Sequence, residues 1–564
     1  MTEQNSQSNF KNAPKHKKMG FFSAMLIVMG SSIGAGIFFK SEEVLNNSRG
    51  NLVLAIICWI IASFSVISMA MAIIEVAGVK NDNLSLIGWN RIFNSRWVHQ
   101  ASKNFMVYLT LPLTFFYMPV YTIMVLQDGL GALANKEALT FGTNNDWLIW
   151  LAITTFIGLY FLTIPTLISK IGNIHNIIVL CIKFLPLVFI IIIGIVLAIT
   201  GKGGTDSVKI LEFEKNYNIR TGSSIIHYGG FGGFIGIFLS IGAIFFAYDG
   251  FYIAAGMQSE MKNPKKTSLA LSLGLIIITV IYLMIAISMS INGGSFSQMR
   301  QFIENIMGNK AGRIIFGLIN IAIAIGVIGV INGFSMWMPR YIESLLAEGE
   351  LPFWRLTIKK LNPNRPVIGV IYSLIIGLSA NIIFTIIGAK LYLPTNDLYL
   401  KYGTDMASVY SFTDLIANWI TVFTFVFIAL AIIGALRNRK TKKVPISNPK
   451  KSFKFFAYCT IIFVSLAMLA QILVPILDFA LIFVFDVKQY AIEKNVSYEQ
   501  AQNFFISLAI SRSMLVAVLL IFHFLVFLPI PIFDKYNKHK YGSLEAFEKY
   551  KANFIKTNLR KNDA

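Results

Sequence analysis

The chain has 564 residues, 55% of them hydrophobic and 14% charged, with a formal net charge of +21. A water-soluble domain carries about a quarter charged residues, so a soluble globule is excluded. The three cysteines, Cys58, Cys181 and Cys459, lie in apolar runs far apart, which predicts neither a disulfide nor a metal site.

Apolar residues gather in runs of transmembrane length. In chain order they cover 21–40, 52–77, 106–133, 147–169, 177–200, 233–257, 268–291, 312–338, 367–388, 411–436, 455–484 and 507–532. Each is too long for a barrel strand and lacks strict alternation. In lipid the helix is the other way to satisfy every backbone polar group. The expectation is one all-α polytopic membrane protein with twelve transmembrane helices and no separate soluble domain.

Residues 1–19, ahead of the first run, are polar and basic, and no small-residue cleavage site follows a short apolar region. The first run is therefore expected to be a retained helix rather than a signal peptide. It contains MGSSIGAGIFF, residues 29–39. Glycine costs about 1 kcal/mol against alanine in a helix, yet Gly30, Gly34 and Gly36 sit at its centre beside Ser31 and Ser32. Close helix packing is one reason, since Gly30 and Gly34 form a small-xxx-small pair. A helix broken at mid-membrane is the other.

Run six reads GGFGGFIGIFLSIGAIFFAYDGFYIAAGMQSE over 229–260 and carries a similar interruption at Tyr248-Asp249-Gly250. Runs one and six lie five apart and point in opposite directions. That pattern predicts a 5+5 inverted repeat with broken helices 1 and 6, plus two extra helices. The halves are 20–200 and 231–436, helices 11 and 12 fall in 455–532, and tails cover 1–19 and 533–564. Such repeats place a substrate site where the broken helices meet near the midplane. The N-terminal end of a half-helix favours a carboxylate. Freed carbonyls favour an ammonium group or a cation, and a zwitterionic amino acid presents both charges.

With the N-terminus in the cytoplasm, Lys and Arg number 33 inside and 15 outside, the latter including Lys40, Arg313 and Arg512 near run ends, and Lys183 lies within a run. That asymmetry predicts both termini to be cytoplasmic in a multi-pass cell-membrane protein. Anionic lipid then suffices as partner of the basic tails, and no nucleic-acid binding is expected. The tail from 533 has the composition for a short amphipathic helix.

GSSIGAGIF (30–38) resembles the G-x-x-I-G-x-G-I-F signature in helix 1 of the amino acid–polyamine–organocation (APC) superfamily. FFAYDGFYIAAGMQSEMKNPKKT (245–267) is similar to helix 6 and its following loop in that family. Lys183 sits where many members have a helix 5 lysine. NGFSMWMPRYIESLLAEGELPFW (332–354) followed by NRP (364–366) resembles the end of helix 8 and the approach to helix 9. There are departures: KNDNLSLIGWNRIF (80–93) lacks the Pro and paired Gly common ahead of helix 3, though Glu75 keeps an acidic position. Gly250-Phe251-Tyr252 lacks the family's frequent helix 6 glutamate.

The resemblance implies an amino acid permease working by alternating access. It implies that Ser32, Ile33, Gly34, Ala35 and Gly36 hold the substrate's carboxylate and ammonium through backbone groups, with Phe246, beside Ala247, as an aromatic gate. Related sodium-coupled transporters bind Na⁺ between helices 1 and 8, and a lysine ammonium from helix 5 can occupy that place. Lys183 would then couple transport to protons. The alternative is a lysine stem that snorkels to the interface. Asp249, a carboxylate at mid-membrane, is a functional candidate by default. It selects a cationic side chain, pairs with Lys183 for proton coupling, or is structural. Tyr117 and Asn332 are further candidates for the pocket.

A membrane enzyme would need catalytic His, Asp or metal ligands near the interface, which the few intramembrane ionisable residues do not supply. No P-loop occurs, so no ATP hydrolysis is expected, and no cofactor. An amino acid sensor without turnover and a polyamine transporter stay open. No obligatory protein partner is expected.

Overall fold

The computed structural model describes residues 20–34, 36–79, 84–204, 218–252, 262, 266–362, 365–394, 397–446 and 449–559. These residues form helices and loops, with no strand among them. Among the described residues ten helices are long and apolar enough to cross a membrane. They include α3 (Leu52–Ala77), α5 (Arg96–Leu133), α6 (Asp146–Leu167), α7 (Ser169–Thr200), α9 (Thr267–Ser290), α11 (Asn309–Ala347), α12 (Val367–Leu391) and α13 (Thr404–Thr441). The last two are α14 (Phe453–Ala480) and α16 (Tyr498–Phe527), and α15 (Val487–Lys494) links them. The chain is thus an all-α polytopic membrane protein.

The two remaining runs, first and sixth in chain order, are the interrupted ones. α1 (Phe21–Ser32) stops where Ile33 leaves the helical region, at φ −75° and ψ 93°. α2 (Gly36–Asn47) resumes past the break. α8 (Gly229–Ala247) ends in the turn at Tyr248-Asp249-Gly250. Gly250 has φ +97°, a conformation that a side chain would strain. The half-helix expected over 253–257 lies outside the described residues.

Three polar stretches are more ordered than hydropathy suggests. In 78–105, α4 (Leu86–Phe93) forms a short helix, and residues 96–105 are the first turns of α5. That segment buries His99, Ser102 and Lys103 against its neighbours, so its polarity is spent inside the protein. The first run does not end at Lys40, which is buried inside α2. The tail holds two helices, α17 (Pro529–Tyr541) and α18 (Leu544–Leu559). A short helix, α10 (Met299–Met307), precedes α11.

Ion pairs sort the loops onto two ends. Arg91 pairs with Glu348 at 2.5 Å, Arg96 with Asp534 at 2.7 Å and Lys551 with Glu350 at 3.1 Å. The loop after α3, the loop after α11 and the tail therefore share one end, the basic one. Lys40 with Asp414 (2.9 Å) and Lys401 with Asp128 (2.6 Å) tie elements toward the other.

Candidate substrate site where the broken helices meet

The two breaks touch through backbone. A Cβ built on Gly36 would stand 2.7 Å from Ala247 Cα and 3.2 Å from a ring carbon of Phe246. Only glycine lets the start of α2 lie this close to the end of α8. Tyr282 of α9 then ties the two sides together. Its hydroxyl donates to the Ala247 carbonyl at 3.0 Å and hydrogen-bonds the backbone of Gly34. The first-turn amides of α2 have no acceptor within their own helix, and α2 starts at this junction.

Aromatic rings close the junction toward the non-basic end. The Phe246 ring lies 6.0 Å from Tyr117 and 5.6 Å from Tyr121, both on α5. The Lys40 ammonium sits 5.2 Å above Phe246 and 5.9 Å above Tyr121. It also contacts Glu43 and Asp414, each at 2.9 Å. Asp414 accepts from Tyr121 at 2.7 Å and from Tyr399 at 2.6 Å, and Glu43 accepts from Asn418 at 2.6 Å. The side chain of Lys40 is fully buried, and two carboxylates with two ring faces replace its water.

Asp249 follows the α8 break. The amide of Gly250 donates to its Oδ1 at 2.9 Å, and the hydroxyl of Tyr252 donates to its carboxylate. Tyr117 and Tyr252 flank it, both fully buried. Among the described residues no basic side chain forms an ion pair with Asp249. The pairing with Lys183 weighed from the sequence is therefore absent here.

Lys183 instead meets the other break. α7 turns at this residue, and its ammonium donates to the Gly30 carbonyl at 2.5 Å. α7 begins at Ser169, so the helix extends ahead of the apolar run that starts at 177. Beside Lys183, Ile33, Gly34, Pro186, Ala322, Ile323 and Gly326 bound a cavity of about 10 Å³, at the lower limit for one water. That cavity lies between α1, α7 and α11.

Of the residues singled out from the sequence, Ile33, Gly34, Gly36, Phe246, Ala247 and Asp249 come together at this junction, with Lys183 behind it. Ser32 is the last residue of α1, and Ala35 lies outside the described residues. Tyr117 stands in the aromatic wall. Asn332 is elsewhere: its amide donates to the Gly172 carbonyl at 2.9 Å and to Asn176 at 2.7 Å, joining α11 to α7. Hydropathy did not reveal Lys40, Asp414 and Tyr282. Lys40 read as the edge of a run, Asp414 as one acid near the start of another, and Tyr282 as an ordinary apolar position.

The model of the amino acid permease family matches residues 19–487. The chain belongs to that family. Among relatives, a Mycoplasma pneumoniae protein of unassigned function is 48% identical over 94% of this chain and 97% of its own length. A second M. pneumoniae protein is 32% identical over 46% of this chain and 88% of its own. A serine/threonine exchanger, SteT, of Bacillus subtilis is 23% identical over 60% of this chain and 70% of its own. The permease is a membrane transporter of amino acids and not an enzyme. Its two broken helices fall inside the matched region, and the tail helices α17 and α18 fall beyond it.

Proposed function

We propose that this permease is a secondary active transporter that moves a cationic amino acid by alternating access. The substrate's carboxylate and ammonium lie against the backbone of residues 32–36 and 246–247, and its side chain reaches Asp249. The observation that carries the cationic preference is Asp249, held among buried tyrosines without a basic partner among the described residues. A carboxylate in such a place is costly unless a cation meets it. A lysine, arginine or ornithine side chain would supply that cation during transport. Lys183, bonded to the Gly30 carbonyl at the first break, would gain and lose a proton as α1 moves, coupling the cycle to protons. The site is framed by the two repeats, 20–200 and 231–436. The N- and C-termini face the cytoplasm, as the charge asymmetry supports.

A second reading draws on the B. subtilis relative, whose name specifies exchange of serine and threonine. In it the substrate is a small hydroxyl amino acid, and Asp249 accepts from its hydroxyl. Uptake of labelled L-arginine into proteoliposomes, competed by each unlabelled amino acid, separates the two. Strong competition by lysine and ornithine with weak competition by serine supports cation selection. Competition by serine and threonine overturns it. Absence of any uptake across a labelled panel points to a sensor or a polyamine substrate.

A further inference from the structure

A groove at the basic end of the molecule takes no part in the transport reading. It has a volume of about 520 Å³ and runs between the first turns of α5 and the junction of α16 with α17. Tyr108, Ile521, Phe524, Leu525, Leu528 and Ile532 form most of its wall. Behind it, α5 and α16 are firmly joined. Asn104 donates to the Val526 carbonyl at 2.9 Å, and Trp97 stacks on Phe527 at 4.9 Å. The groove is therefore a standing feature of the fold.

Its open side faces hydrocarbon. Phe524, Leu528 and Ile532 are 58%, 51% and 59% exposed, and all three belong to the membrane-length apolar stretch Tyr498–Tyr541. A void against lipid leaves its lining atoms without contacts. A flexible acyl chain from the adjacent leaflet is the molecule at hand to fill it.

Charge at the mouth selects the headgroup. Gln100, Lys103 and Asp534 mark the polar end of the groove. Asp534 is already paired with Arg96 at 2.7 Å, and Lys103 donates to the Glu350 carbonyl at 2.9 Å. The charge nearest the groove is on α17, where the exposed Lys540 ammonium lies 5.7 Å from the ring of Tyr536, a residue of the groove wall. A lysine against an apolar groove, on a helix that also carries Lys535 and Lys538, complements a negatively charged lipid.

We infer that this groove seats one acyl chain of an anionic phospholipid, with the headgroup held near Lys540 of α17. The seat is distinct from the substrate junction. Because α17 both borders the groove and leads into α18, the seated lipid braces the tail.

The test uses the full-length protein from nanodiscs containing phosphatidylcholine and phosphatidylglycerol in equal amounts, extracted into mild detergent for native mass spectrometry. The expected result is one retained phosphatidylglycerol per protein. Leu525→Trp, which fills the groove, is expected to remove it. Leu520→Trp, on the same helix at a lipid-facing position, is expected to keep it. Lys540→Gln is expected to weaken the preference for phosphatidylglycerol by roughly fivefold. Equal retention by wild type and Leu525→Trp overturns the seat. Equal retention of the two lipids by wild type, or detergent adducts alone, overturns the anionic phospholipid as occupant. Should Leu525→Trp fail to fold, wild type decides with phosphatidylglycerol carrying a diazirine at the end of one chain. Crosslinks within 521–533 or 104–108 support the seat, and crosslinks only elsewhere overturn it.

Discussion

Gly34 and Gly36 look alike in the sequence but differ in what a methyl group would meet. At Gly36 it would press to 2.7 Å on Ala247 Cα, backbone that cannot step aside. At Gly34 it would rest 3.5 Å from a Val330 methyl, an ordinary contact. Gly36→Ala should therefore push the two breaks apart and cut uptake by about tenfold or more, while Gly34→Ala should leave the thermal midpoint of the purified protein near wild type. Uptake and melting curves on both variants check this. The sequence marks both glycines as weak points in a helix. It does not show that Ala247, more than two hundred residues later, is what makes one of them obligatory. Asp249 was legible because a lone carboxylate in an apolar run is conspicuous, whereas its lack of a basic partner among the described residues is a fact of packing. If it selects a cation, Asp249→Asn should raise the apparent KM for arginine by about tenfold or more while changing that for a neutral substrate little. Equal changes for both would make Asp249 structural.

At the scale of elements, hydropathy finds the long helices because burial in lipid is read from apolar runs alone. It misses the polar helical segments because their partners are distant in sequence. The tail is the clearest case. Composition suggests one short amphipathic helix, and the structure shows two, with α18 held by Lys551 on Glu350. Arg355 adds ring contacts, 5.6 Å from Tyr541 and 5.0 Å from Tyr550. Burial by itself would raise the Glu350 carboxyl. The ammonium groups of Lys551 and Lys103, with the Gln100 amide and nearby His99, outweigh it and hold the group at about 2, below its ordinary 4.5. A carboxyl lowered on folding stabilises the docked form above its ordinary value and loses that contribution as pH falls toward the folded one. The difference corresponds to between about 3 and 4 kcal/mol at most. The tail should stay docked at neutral pH and loosen between about 4.5 and about 2. Glu350→Gln should loosen it at neutral pH. A spin-label distance between positions 359 and 556 reads both, and a distance unchanged in the variant would assign the docking to the ring contacts.

Across the whole molecule, two contacts flank the junction. Lys183 on Gly30 fastens α1 to α7 on one side of the break, and Lys40, paired also with Glu43 of its own helix, fastens α2 to Asp414 of α13 on the other. If transport proceeds by alternating access, as proposed, the second set parts when the junction opens toward the non-basic end. Lys40 is held by two carboxylates because both approach the same buried ammonium, so removing it does more than delete an attraction. Lys40→Met would leave Glu43 and Asp414 facing each other without a counter-charge, and like charges there repel. The variant should favour the form open to that end. With Cys58, Cys181 and Cys459 replaced, a cysteine introduced at Ile33 should react with a membrane-impermeant maleimide from that side several-fold faster than in the Lys40 background. Equal rates would mean that the aromatic wall of Phe246, Tyr117 and Tyr121, rather than the ion pairs, controls opening. Tyr121→Ala would then be the variant that raises the rate, since its ring contacts Phe246 and its hydroxyl holds Asp414 at 2.7 Å.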